Sequence, residues 1–125
     1  LDLETTGLSC RYDEIIEFGA IKVKNDEIID KLQMFIKPTV SIPIFIQNKT
    51  NITNEMVKDA MTIHDALPKI LDFIGDCCIV AHNASFDLGF LDSQLLANGY
   101  PNLTNPVIDT LSMGKEFIPD LKFFA

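Results

Sequence analysis

The chain has 125 residues, 47% hydrophobic and 22% charged, a formal net charge of −8 and an isoelectric point near 4.5. That composition fits one soluble domain with a real core and excludes a disordered chain; no apolar run nears the ~20 residues of a membrane span, and no signal peptide heads the sequence. The acidic balance excludes nucleic-acid binding through a general basic surface, so bound cations or a basic neighbouring domain would have to compensate.

Leu1 to Glu4 reads as the end of a buried strand. Glu14 to Lys24, "EIIEFGAIKVK", alternates as a half-buried strand does, and Asn25-Asp26 suits a two-residue hairpin turn. Ile28 to Ile36 returns with Leu32, Met34 and Ile36 on one face, and Pro38 ends it. Residues 37–52 carry two prolines and no clear period, which predicts a long irregular segment. Thr53 is positioned to cap a short helix through Val57, with Glu55 in its first turn. A second helix is expected from a Thr62–Asp65 capping box to Ile74, starting later or bending at Pro68. Cys77 to Ala81 predicts a strand buried on both faces, with Cys77 and Cys78 as core residues. Together with Cys10 they make an odd count without a disulfide framework, which points to a reducing cytoplasm. Asn83 then caps a helix to about Ala97, and Val107-Ile108 is a last strand before a helix from Thr110. Five strands and intervening helices in this order predict an α/β domain with a mixed sheet, the antiparallel hairpin first and parallel crossovers later.

Asp2 and Glu4 are two residues apart on a strand, so they share one face. Held that close, they repel unless a positive charge lies between them. Asp87 stands about one turn inside the helix after Asn83, on the apolar face of Phe90, Leu91 and Leu95. Taken singly, such an Asp is most often a structural charge near a helix start. Strand carboxyl ends and the helix starts after them meet in one crevice in open α/β sheets. Three carboxylates there suit two hard cations, Mg²⁺ or Mn²⁺, about 3.5–4 Å apart, the arrangement that cleaves a phosphodiester.

"LDLETTGL" followed by "AHNASFD" resembles the first two motifs of the DnaQ-like, DEDD-type 3′–5′ exonucleases. With "YDEIIEFGAIKVK", "KTNITNEMVKDA" and "NPVIDTL", the chain most resembles the proofreading exonuclease domain of the PolC-type α subunit of bacterial DNA polymerase III. The resemblance spans essentially all residues 1–125 and implies an RNase H-like fold and removal of nucleotides from a DNA 3′ end. It implies Asp2, Glu4 and Asp87 as catalytic metal ligands, with polymerase domains of a parent chain as neighbours. It also implies that Thr5, Thr6, Gly7 and Leu8 line the pocket for the terminal nucleotide and that Ile52 lies near its base. Read plainly, Thr5-Thr6-Gly7 is an ordinary polar turn and Ile52 a helix staple.

The third family motif, H-x-A-x-x-D, supplies a general-base His and a last metal-binding Asp, and it does not occur here. The only histidines are His64, in a predicted helix, and His82, in the second motif. The chain is thus expected to be a single exonuclease domain cut within its first strand and before its third motif, binding metal weakly and cleaving slowly or not at all. Asp109 is expected to cap the helix after it, His82 to orient and Asn83 to cap without touching substrate, and Glu17 to be a hydrogen-bonded structural residue. Two other readings stay open: an RNA-trimming exonuclease of the same superfamily, and a catalytically silent module that docks replication subunits.

Overall fold

The computed structural model describes residues 1–117. Strand β1 (Asp2–Thr5) pairs antiparallel with β2 (Ile15–Lys24), which turns back into β3 (Glu27–Lys37). Both turn residues take positive φ, 53° at Asn25 and 64° at Asp26, as a two-residue hairpin requires. Leu32, Met34 and Ile36 all pack on the main core, and β3 stops before Pro38. Helices α1 (Ile44–Thr50) and α2 (Asn54–Val57) follow, then a short strand β4 (Met61–Thr62) parallel to β3, and helix α3 (Ile63–Ile74). The remaining elements are β5 (Ile79–Ala81), α4 (Ala84–Ala97), β6 (Val107–Asp109), parallel to β5, and α5 (Thr110–Phe117).

Among the described residues, six strands stand where five were expected, as a four-stranded sheet in the order β1-β2-β3-β4 and a two-stranded sheet of β5 and β6. The added strand, β4, pairs at two positions and is too short to show a period in sequence. The Leu1 nitrogen donates to the Val80 carbonyl at 2.9 Å, so β5 lies beside the free edge of β1. Hairpin first and parallel strands later, the mixed α/β plan matches the expectation. Among the described residues, no helix is long and apolar enough to cross a membrane.

The helix starts follow their side chains. The Thr53 hydroxyl accepts from Met56 N at 3.3 Å to open α2, and the Thr62 hydroxyl accepts from Asp65 N at 3.4 Å to open α3. Pro68 falls within α3, which begins at Ile63 and ends at Gly75 in a positive-φ conformation.

Four local expectations are corrected. Residues 37–52 are not wholly irregular, because α1 forms there; with seven residues and only Ile46 buried, it offers no readable helical period. β5 is buried on one face only, since Val80 is 45% exposed while Ile79 and Ala81 point inward. Cys77 is half-buried and Cys78 exposed, so neither is a core residue. Asn83 does precede α4, but in the left-handed conformation (φ 59°) and with no side-chain cap bond.

Among the described residues, two clusters make the core. Leu3, Phe18, Ile36, Ile70, Phe90 and Leu91 belong to the main one, between the sheet and α3 and α4. Ile16, Ile42, Ile46, Ile52 and Val57 form the second, with α1 and α2. A register shift at Glu4/Thr5 pairs Thr5 with Ile15, so consecutive Ile15 and Ile16 serve different clusters. That bulge is why "EIIEF" breaks strict alternation. Cross-strand partners share a face, so Asp2, Glu4, Gly19 and Glu17 lie together, opposite Leu3 and Phe18.

Candidate active site

Asp2, Glu4 and Asp87 line one cleft of about 210 Å³. β1 presents the first two from its open face; the first turn of α4 presents the third. The three differ in solvation: Asp2 is exposed, Glu4 half-buried and Asp87 only 4% exposed. Burial, and next the Asp2 charge, push the Asp87 carboxyl up to about 7; the terminal ammonium of Leu1 pulls the other way and Glu4 adds to the rise. Burial raises Glu4 as well, followed by the charges of Asp2 and Glu17, with Lys49 opposing. Mutual influence of this kind places the three carboxylates in one electrostatic neighbourhood.

As the side chains are placed, no three His, Cys, Asp or Glu residues among the described ones stand close enough to enclose an ion. Carboxylates facing one cleft repel, and a divalent cation would remove both the repulsion and the burial penalty. The acidic donors are all carboxylate oxygens, which select hard cations such as Mg²⁺ or Mn²⁺. On the chemistry of the donor set, the cleft fits such a cation.

The loop after β1 is tied down around Asp13. Its carboxylate accepts from Ser9 N at 3.0 Å and from the Thr6 hydroxyl at 3.3 Å, while the Thr6 hydroxyl accepts from Glu14 N at 2.9 Å. The Thr5 hydroxyl donates to the Gly7 carbonyl at 2.6 Å. A Cβ on Gly7 would overlap the Asp13 carboxylate, so this glycine is required by space. Thr5, Gly7 and Leu8 line the cleft. Two of the expected substrate contacts lie elsewhere. Thr6 is 4% exposed and faces Asp13, because its hydroxyl closes the turn. Ile52 is 3% exposed in the second core cluster, and Ile46 and Thr50 of α1 take the place expected for it in the cleft wall.

Sequence reasoning gave His82 and Asn83 no need to reach the site, yet both line the cleft. His82 Nδ1 lies 3.1 Å from the Thr110 hydroxyl. Asn83 N donates to Asp109 Oδ1 at 3.0 Å, and Leu111 N donates to the same oxygen at 2.9 Å. Asp109 thus caps α5 as expected and also pins the start of α4. Burial alone would raise its pKa; backbone N–H groups of Leu111, Asn83, Ala84 and Ser112 outweigh it and hold the carboxyl below its ordinary range. Replacing Asp109 with Ala is expected to lower the midpoint of urea unfolding, through the loss of a helix cap and its second bond. Glu17 accepts from Gln33 Nε2 at 2.6 Å, the structural role expected for it.

Lys49 was missed altogether. It is the one Lys or Arg lining the cleft among the described residues, and it comes from the last turn of α1. Its position depends on a helix the sequence did not reveal; the only signal was a single lysine within residues 38–54, a stretch that holds no carboxylate.

Comparison with known proteins agrees with this geometry. The RNase_T family model, described as Exonuclease, matches residues 1–123. The PolC-type DNA polymerase III of Clostridium perfringens is 46% identical over 121 residues, 97% of this chain and 8% of that protein. The Staphylococcus haemolyticus protein of the same name is 47% identical over 114 residues, 91% of this chain and 8% of that protein. The chain therefore spans about 8% of the length of these curated relatives. Exonuclease X, solved in complex with 5′ overhanging duplex DNA, superposes with a TM-score of 0.73 at 27% identity, covering 98% of this chain and 65% of its own. Exonuclease I, solved without ligand, superposes at 0.84 with 18% identity, covering 99% and 32%; it shares the RNase H-like fold. A cleft of carboxylates on such a fold, matched from end to end by one family, places the chain in the RNase_T exonuclease family.

Proposed function

We propose that this chain is a metal-dependent 3′–5′ exonuclease domain that proofreads DNA as part of a bacterial replicative DNA polymerase III in the cytoplasm. One observation carries the reading: Asp2 and Glu4 of β1 face the same cleft as buried Asp87 of α4. These carboxylates would hold two Mg²⁺ or Mn²⁺ ions. Bound there, the ions would lower the pKa of the attacking water and neutralise charge on the leaving oxygen. The chain's own residues do the rest. Asp13 fixes the turn that carries Gly7 and Leu8, which form the wall for the terminal nucleotide. Asp109 anchors the start of α4 and so the direction in which Asp87 points. The likeness to PolC-type DNA polymerase III supports a polymerase context, with polymerase domains as the neighbours of this one.

The test is single-turnover incubation of a 5′-labelled oligodeoxynucleotide with excess chain and Mn²⁺, with RNA of the same sequence in parallel. Slow shortening by one nucleotide at a time from the 3′ end, with release of nucleoside 5′-monophosphate, is expected on DNA. Faster shortening of the RNA would favour the RNA-trimming reading, and an isothermal titration in which the wild type takes up no more Mn²⁺ than Asp2→Ala or Asp87→Ala would favour a docking module.

A further inference from the structure

We infer that Lys49 contacts the phosphodiester backbone of the single strand entering the cleft, making α1 the wall along which that strand approaches. This rests on the exonuclease reading and adds a residue to it. The chain carries 18 acidic and 10 basic residues, and the acids at the cleft come from β1 and α4. Helix α1, "IFIQNKT", contains no carboxylate at all and places Lys49 in its last turn, beside cleft-lining Ile46 and Thr50. Of the carboxylate, Lys and Arg side chains that line the cleft, Asp2, Glu4 and Asp87 carry or can carry negative charge and Lys49 alone attracts a polyanion. The Lys49 ammonium is exposed and stands on the lining of the same cleft as Glu4. The described ion pairs within 4.0 Å include only Lys58 with Glu55, so no carboxylate pins Lys49 in place. A flexible stem with a compact charge suits a phosphate contact that must shift as the strand advances.

Counterion release gives a direct readout. One phosphate neutralised on a single strand contributes about 0.7 to the slope of log affinity against log salt. Binding of a labelled oligothymidylate would be followed by fluorescence anisotropy in Ca²⁺ over a salt series, for the wild type, Lys49→Ala and Lys49→Arg. Lys49→Ala is expected to lower the slope by about 0.7, which is about eightfold in affinity near 50 mM salt and vanishes toward about 1 M. Lys49→Arg keeps the wild-type slope, and Mn²⁺ uptake by Lys49→Ala is undiminished because a competing cation has gone. An unchanged slope in Lys49→Ala overturns the assignment, as does weakened Mn²⁺ uptake, which would make Lys49 a support of the metal site. A parallel arm with a 3′-blocked strand separates the two ideas. If the wild type ignores the block while Lys49→Ala still loses slope, the strand contact stands and the exonuclease reading falls.

Discussion

Replacing Asp87 with asparagine is expected to stabilise the metal-free chain and to abolish its response to divalent metal. The Asp87 carboxyl ionises near 3.8 when the chain is unfolded and near 7 when it is folded. Below the first value both states are protonated and the group costs nothing. As pH rises from about 4 to 7 the unfolded state releases its proton and the folded state does not, so stability is lost through that window and stays flat above it. A gap of about three pH units sets a ceiling on the order of 4 kcal/mol at pH 8, at 1.36 kcal/mol per unit, and water reaching the cleft screens the effect below it. Asp87→Asn removes the ionisation, so its advantage over the wild type should grow from nothing near pH 4 to a plateau above pH 7. Urea unfolding at pH 4, 6 and 8 reads it, and a pH-independent difference would contradict it. Mn²⁺ should raise the wild-type melting temperature, more so above pH 7 where the ligands are ionised, and leave the variant unmoved. If the bound ions supply even 4 kcal/mol of transition-state stabilisation, hydrolysis by the variant falls about a thousandfold. A residue whose removal helps the fold and destroys the chemistry is what a functional carboxylate in an apolar setting predicts.

The second large effect belongs to Gly7. Its backbone φ is not in the left-handed region that favours glycine, so the constraint is the Asp13 carboxylate packed where a Cβ would sit. Gly7→Ala should therefore cost about 1–3 kcal/mol, since Asp13 must leave Ser9 N and Thr6 to make room. Asp13→Ala alone loses those bonds and costs a similar amount. In the Asp13→Ala background, however, the three atoms nearest the added methyl are gone and Gly7→Ala should be close to neutral. A coupling of about 1 kcal/mol or more in this double-mutant cycle confirms that the pair shapes the loop; additive costs would show that Gly7 is required for some other reason. Because Gly7 and Leu8 line the cleft, the single variant should also weaken binding of a nucleoside 5′-monophosphate.

The site was legible in the sequence where it depends on short-range periodicity. Two residues of spacing on a strand put Asp2 and Glu4 on one face, and the helix following β5 turns Asp87 onto the face it shares with buried Phe90 and Leu91. What bound the three carboxylates together in advance was the order of elements and the likeness to an exonuclease family, not any local pattern. Features decided by tertiary packing were missed. Helix α1 is short and buries only Ile46, so its existence rests on the second core cluster, and the cleft-facing roles of Ile46, Thr50 and Lys49 follow from it. Ile52 was drawn into that same cluster, away from the expected substrate contact. The left-handed Asn83 escaped notice because its holder, Asp109, lies 26 residues away along the chain.

Mn²⁺ relaxation of backbone amide signals tests the convergence of β1 and α4 on shared ions most directly. Titrated into the 125-residue chain, Mn²⁺ should broaden residues 2–5 and 83–88 together, and either Asp2→Asn or Asp87→Asn should abolish both sets at once. Broadening spread over the acidic surface, or confined to one of the two segments and untouched by the other's mutation, would contradict it.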